Sequence, residues 1–237
     1  MDNRFDREIK LIGYEGFEVL QSKHVAVFGV GGVGSYTVEA LGRAGIGKLT
    51  IVDFDVVDIT NINRQLHALT STVGKVKVEV AKERLLDINP YLEVHAINEK
   101  YTAENAETLL SAEYDYVVDA IDMVSSKIDL IVRAQEMGIP LISSMGAGNK
   151  LDATKLVVTD LFKTHTCPLA KVMRKELKNR GIKKQKVIYS TEVALKPILL
   201  KDEEPSRKQT PSSISFVPPA SGLLMASEVV NALLHEK

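Results

Sequence analysis

The sequence holds 237 residues, 45% of them apolar and 26% charged, with a net charge of −1. That balance excludes a disordered chain and leaves room for a sizeable core, either one large domain or a domain with an extension. The single cysteine, Cys167, excludes both a disulfide framework and a zinc site built from paired CxxC elements. No charged leader precedes an apolar run and no apolar stretch approaches the ~20 residues needed to span a bilayer, so a cytoplasmic protein with no membrane partner is expected.

Residues 2–22 carry Arg4, Arg7 and a set of apolar residues broken by Gly13 and Gly16, which predicts two short helices. An apolar run, His24 to Phe28, then leads into Gly29, Gly31, Gly32 and Gly34, a helical stretch with Val38, Leu41 and Ile46, and a second apolar run, Lys48 to Val52, that ends on Asp53. Strand, glycine-rich turn, helix, strand and terminal acid form a nucleotide-binding βαβ unit. Gly29 permits the turn, Gly31 lets backbone approach a phosphate and Gly34 lets helix pack on strand, while unpaired N–H groups at the helix start favour an anion. Asp53 would take the ribose hydroxyls.

The polar stretch from Asp53 to Gly74 is too long for an ordinary connection, and loops of that length are usually functional. It contains Asp55, Asn61, Asn63 and Arg64, with Lys77 just inside the helix predicted for residues 75–89. A guanidinium and an ammonium near one helix start exceed what a dinucleotide pyrophosphate needs and suit ATP, which argues against an NAD-dependent oxidoreductase. Further strands are predicted at Leu92 to Ile97, Tyr116 to Ile121 and Ile139 to Ser143, with helices opening at Thr102 and Ser125. Asp122 follows the strand predicted at Tyr116, at the edge of the sheet where α/β folds bind ligands. It serves there either as a cap for the next helix or as a Mg²⁺ ligand, since Mg²⁺ takes one or two carboxylates plus phosphate oxygens.

The alternating pattern stops near residue 150, so the expected fold is an α/β, Rossmann-like and mostly parallel sheet over residues 1–150, with an α+β extension over residues 151–237. In the extension, strands are predicted at Lys155 to Thr159 and Lys186 to Tyr189, a mobile loop at residues 201–213 and a closing helix from about Ala220. Leu169, Val172, Met173 and Leu177 mark one face of an amphipathic helix. Residues 163–186 hold nine Lys or Arg against one acid, Glu176, a balance of +8 beside −9 in the remainder. Such a block suits a polyanion; Lys171, Arg174, Lys175, Lys178, Arg180, Lys183 and Lys184 are its candidate contacts.

Four ordered motifs, GVGGVGS, VDFDVVDITNINRQ, TVGKVKVE and DAID, together with RFDRE at Arg4 to Glu8, resemble the adenylating fold shared by ubiquitin-activating enzymes and their bacterial relatives in thiamine and molybdopterin biosynthesis. The resemblance covers about residues 4–150. It implies transfer of AMP from ATP to a carboxylate in a homodimer. Asp53 would hold the ribose, Arg64 and Lys77 the phosphates, Asp122 the Mg²⁺, and Arg7 would reach the partner subunit's triphosphate. The extension, lacking CxxC pairs and carrying KTHTCPLAKVMRKELKNRGI, VIYSTE and SISFVPPASG, is similar to the tRNA threonylcarbamoyladenosine dehydratase branch of that family. This implies tRNA as a partner for the basic block and leaves open a sulfur-transfer partner protein. The bacterial members of that branch often carry a membrane-seeking C-terminal tail, from which this sequence departs. Two further readings compete: an adenylating activator of a ubiquitin-like sulfur-carrier protein, and a non-catalytic nucleotide-binding scaffold.

Overall fold

The computed structural model describes residues 3–198 and 211–235. Five parallel strands, β1 (His24–Phe28), β2 (Lys48–Val52), β3 (Glu93–Ile97), β4 (Tyr116–Asp119) and β5 (Leu141–Ser144), are joined by β6 (Leu156–Asp160) and β7 (Lys186–Ser190) in the order β3-β2-β1-β4-β5-β7-β6. Only the β6 and β7 pair is antiparallel. The central strands β1, β4 and β5 are buried along nearly their whole length because both faces of the sheet are covered, and their residues are mostly apolar for that reason. The extension does not stand apart: β7 pairs with β5 and completes the same sheet.

The helices are α1 (Asp6–Ser22), α2 (Gly34–Arg43), α3 (Lys77–Ile88), α4 (Ala106–Leu109), α5 (Val124–Glu136), α6 (Pro168–Asn179) and α7 (Val217–His235). The two short helices expected at the start are both present within α1, on either side of a kink at Gly13, whose φ of 77° and ψ of 168° break the helical backbone. One layer, with α1, α2, α3 and α7, packs Leu20, Val38, Leu41, Leu85, Met225 and Val229 against Val25, Val27 and Ile51; the opposite layer packs Ile128, Ile131, Met173 and Leu177 against Phe28, Val117 and Val187. Each such side chain contributes about 1.5 to 3 kcal/mol by leaving water.

One expectation is corrected by α7. It spans 19 residues and holds an 18-residue window of mean hydropathy 1.3, which by length and composition alone is enough to cross a membrane. Half of that stretch is buried, because α7 lies against α1, α2 and the sheet. Where α7 crosses α2 the backbones nearly touch: a Cβ on Gly222 would come within 2.2 Å of the Val33 carbonyl oxygen, and Thr37 Oγ1 donates to the Gly222 carbonyl at 3.1 Å. Most of the predicted mobile loop, residues 201–210, lies outside the described residues.

Candidate functional site

In this strand order the chain runs outward from β1 on one side and from β4 on the other, which places a crevice beyond the carboxyl ends of those two strands. A cavity of about 620 Å³ opens there. Its floor is the glycine turn. Gly29 has a φ of 90°, a conformation other residues rarely adopt, and a Cβ on it would sit 2.7 Å from the Ala120 carbonyl oxygen. Gly34 opens α2 so close to the turn that a Cβ would overlap the Gly29 carbonyl oxygen at 1.8 Å. Gly29, Gly31 and Gly32 line the cavity, whereas Gly34 is buried beneath them and acts through packing.

Asp53 stands at one flank. Its Oδ2 accepts from the Val30 N–H at 2.6 Å and its Oδ1 from the Asp55 N–H at 2.9 Å, so it braces the glycine turn while lining the cavity. Burial pushes its carboxyl upward, against the pull of those two amides. Asp55 Oδ2 holds the Lys77 ammonium at 2.7 Å; the lysine is almost fully buried and its partner half-exposed. Arg64 Nη1 donates to the Thr60 carbonyl and to Asn63 Oδ1, both at 2.9 Å, leaving the rest of the guanidinium at the cavity rim.

The structure brings Asp53, Asp55, Asn61, Arg64, Lys77 and Asp122 to one cavity. Two candidates have other work. Asn61 lines the cavity, but its Oδ1 accepts from the Asp58 N–H at 3.2 Å in a reciprocal cap that closes the turn at Ile59–Asn61. Asn63 does not line it, and its Nδ2 donates to the Ser213 carbonyl at 2.9 Å. Arg7 is exposed on the first turn of α1 and lies outside the lining of this cavity.

The predicted strand ending on Asp122 is shorter than expected. β4 stops at Asp119, a fully buried carboxylate that pairs with the equally buried Lys127 at 2.9 Å and accepts from Ser143 Oγ at 2.5 Å. This pair also fixes the next turn: Ile121 N–H donates to Asp119 Oδ1 at 3.1 Å and Lys127 Nζ donates to the Ile121 carbonyl at 3.0 Å. Asp122 follows, exposed into the cavity and without a hydrogen bond or ion pair among the described residues. It does not cap α5, whose N-cap is Met123 and has no side-chain cap bond. No cluster of His, Cys, Asp or Glu stands beside this carboxylate among the described residues, so a cation such as Mg²⁺ would have to take most of its ligands from phosphate and water.

Sequence reasoning missed Asp119 and Lys127, although the apolar run before the acid could have placed the strand end three residues earlier. It also missed the wall formed by Ser144 to Gly148, Leu169, Pro211 and Ser213, which chain folding alone brings to the cavity. Gln65, also missed, is buried at the cavity with its Oε1 unpartnered among the described residues. Cys167, just before α6, is 2% exposed, behind Gly146. Burial holds the imidazole of His67, both of whose ring nitrogens lack partners among the described residues, down at about 4.

On α6, Lys171, Lys175 and Lys178 are exposed, as are Lys183 and Lys184 beyond it, and none forms an ion pair among the described residues. Arg180 is exposed too but pairs with Glu176 at 2.8 Å, and Arg174 is turned inward to the Thr164 carbonyl at 2.9 Å. Arg174 is thus committed to holding the start of the helix rather than to the open face.

The ThiF family model matches residues 5–237. The chain is 48% identical over 248 residues to a tRNA threonylcarbamoyladenosine dehydratase of Bacillus subtilis (strain 168), spanning 100% of the chain and 96% of that relative. It is 41% identical over 202 residues to the Escherichia coli (strain K12) protein of that description, spanning 82% of the chain and 75% of the relative. The molybdopterin-synthase adenylyltransferase of Escherichia coli (strain K12) is 35% identical over 159 residues, 66% of the chain and 62% of that relative. Crystal structures of the E. coli tRNA N6-threonylcarbamoyladenosine dehydratase with AMP and with ATP superpose with a TM-score of 0.90 at 35% identity, covering 98% of this chain and 94% of theirs.

Proposed function

The chain belongs to the ThiF family, and from that premise we propose that it catalyses the ATP-dependent cyclising dehydration of threonylcarbamoyladenosine beside the anticodon of tRNA. One observation carries this choice within the family. The likeness to the dehydratases runs through the extension that carries the basic helix, whereas the likeness to the molybdopterin-synthase adenylyltransferase covers 66% of the chain. The alternative, activation of a ubiquitin-like sulfur carrier, fits that pattern less well.

The chemistry follows from the substrate. A threonyl carboxylate oxygen attacks the α-phosphorus of ATP, the bond to pyrophosphate breaks, and an acyl adenylate forms. A neighbouring ureido atom of the same substituent then attacks the acyl carbon, the bond to AMP breaks, and a ureido proton is lost. The oxygen of the eliminated water leaves on AMP. Nucleophile and acyl carbon share one substituent, so little orientation is left to arrange.

The chain's part is placement and charge. N–H groups of the glycine turn and the start of α2 receive phosphate oxygens, Asp53 takes the ribose, and Arg64 and Lys77 balance charge as it builds on the leaving pyrophosphate. Asp55 keeps the Lys77 ammonium at the cavity until phosphate competes for it. Asp122 would hold Mg²⁺, which would neutralise phosphate charge.

Three finer points belong to the same proposal. Arg7, remote from its own cavity, serves the cavity of a second copy in a homodimer. The exposed lysines of α6 and the turn after it track tRNA phosphates. A cytoplasmic location goes with that substrate.

Mass spectrometry of nucleosides from tRNA carrying threonylcarbamoyladenosine, incubated with the protein with and without ATP, tests the activity. ATP-dependent loss of one water from that nucleoside is expected; an unchanged nucleoside alongside adenylation of a carrier-protein C-terminus would establish the alternative. Mixing Arg7→Ala with Asp122→Ala chains should restore part of the lost activity through heterodimers. Failure to recover after confirmed subunit exchange would remove the role of Arg7 in trans.

A further inference from the structure

Three stretches of chain far apart in sequence meet at Asn149. It is the one residue other than glycine with positive φ among the described residues, at 59°. Its N–H donates to the Ser212 carbonyl at 2.7 Å, its Oδ1 accepts from both the N–H and the Oγ of Ser212 at 2.8 Å, and its own carbonyl accepts from the Leu195 N–H at 2.8 Å. A left-handed backbone is unfavourable for a residue with a side chain, and it persists where surrounding bonds over-determine it. Beside it, Gly148 lies so close beneath the returning chain that a Cβ would come 2.7 Å from Pro211 Cβ. From the long insert, Asn63 Nδ2 donates to the Ser213 carbonyl at 2.9 Å. Residues 211–213 are therefore a strap fastened at both ends, and Pro211 and Ser213 face the cavity.

The strap runs from Asn63, the neighbour of Arg64 in the insert, to the chain after β5, where Gly146 and Gly148 line the cavity. A nucleotide held along the glycine turn and Asp53 would leave the side of the cavity lined by Gly146, Gly148, Pro211 and Ser213 to the acyl end of the adenylate.

We infer that Asn149 is a positioning residue: it fastens residues 211–213 over the acyl group, so that the ureido atom reaches the acyl carbon and water does not. The inference rests on the adenylating reading above. Its content is a partition between two attacks. Ureido attack expels AMP and closes the ring. Water attack also breaks the acyl bond to AMP but returns the threonyl carboxylate, so that ATP has been split to AMP and pyrophosphate with no cyclic product. Excluding water from a reactive intermediate is what a fastened wall supplies.

Asn149→Gly keeps the left-handed backbone available and removes the acceptor of both Ser212 bonds; Ser212→Ala removes one of them from the other side. With modified tRNA and ATP, AMP released per cyclised nucleoside should rise at least about threefold in Asn149→Gly and less in Ser212→Ala, while exchange of pyrophosphate into ATP stays within about twofold. In H₂¹⁸O, the label should enter the carboxylate of recovered threonylcarbamoyladenosine. A merely structural role would lower exchange and cyclisation together and leave the ratio at the wild-type value; that result overturns the inference while the adenylating reading stands. A wild-type chain that released no AMP on modified tRNA would overturn both.

Discussion

Lys77, lining the cavity, lies 2.7 Å from Asp55, and Lys127, buried behind the cavity wall at Ile121, lies 2.9 Å from Asp119; both ammonium groups are withdrawn from solvent. On α6 and the turn after it, Lys171, Lys175, Lys178, Lys183 and Lys184 stand in water with no acidic partner among the described residues. The first arrangement fixes each charge to within a bond length and gives it a direction. The second keeps charges mobile and screened, with a reach of about 8 Å at physiological salt. Chemistry on one phosphorus atom needs the former, and a backbone of repeated phosphates is served by the latter.

Removing a lysine should therefore cost very different amounts in the two regions. Lys127→Met should be the most damaging, because it leaves the Asp119 carboxylate buried and unpaired; a loss of about 3 to 5 kcal/mol in unfolding free energy is expected from denaturant titration. Combining it with Asp119→Asn should recover much of that stability, since no unpaired charge is then left inside. A single variant that unfolds like the wild type would mean the pair is wet and the contrast with α6 false.

Asp122→Ala should leave stability unchanged, because the side chain is exposed and bonds to nothing among the described residues. Pyrophosphate release should fall about 10²- to 10³-fold if the carboxylate holds the metal at the phosphates. A variant with normal release would leave Asp122 as an ordinary surface acid.

His67 shows what the interior of the insert does to a cation. Its folded value of about 4 lies below the ordinary value of 6.5, so the unfolded chain binds the extra proton between those limits. Its contribution to stability is therefore complete above pH 6.5 and is lost as pH falls toward 4, by on the order of 2 to 3 kcal/mol. Burial, with Lys48 and His95 beside it, lowers His24 to about 4 as well, so the wild type should carry a second contribution of the same sign, made smaller by solvent at this half-buried site. Thermal unfolding of His67→Leu between about pH 4.5 and 7 should show a shallower fall than the wild type; parallel curves would mean His67 finds a proton partner when folded.

The smallest effect is expected on α6. Lys171→Ala with Lys175→Ala should leave stability and ATP affinity alone and lower the slope of log tRNA affinity against log salt by about one to two, since each phosphate no longer neutralised removes about 0.7 to 0.9 from it. An unchanged slope would reduce the block to a solvated face, and Arg174, already bound to Thr164, shows that not every charge in it is available.

The glycine turn, Asp53 and the long insert with Arg64 and Lys77 were legible because their chemistry is local. A βαβ unit brings its own turn, helix start and acid together within a single crossover, and helical spacing or an apolar run declares each element. The amphipathic face of α6 was legible for the same reason in Leu169, Met173 and Leu177, whereas Val172, expected on that face, is exposed. The sequence alone therefore determined the nucleotide half, the mostly parallel sheet and the basic block. What it misjudged were ends and distant meetings. Asp119 rather than Asp122 closes β4, because Lys127 reaches back to neutralise a buried carboxylate, a pairing no periodicity records. α7 does lie on the sheet, and its crossing with α2 is close because Gly222 carries no side chain to hold the two backbones apart, a meeting the sequence does not record. Asn63 and Asn149, 86 positions apart, became the two fastenings of one strap. These features needed the tertiary structure, because each depends on which segments the sheet order sets side by side, and sheet order is fixed by the packing of the whole chain.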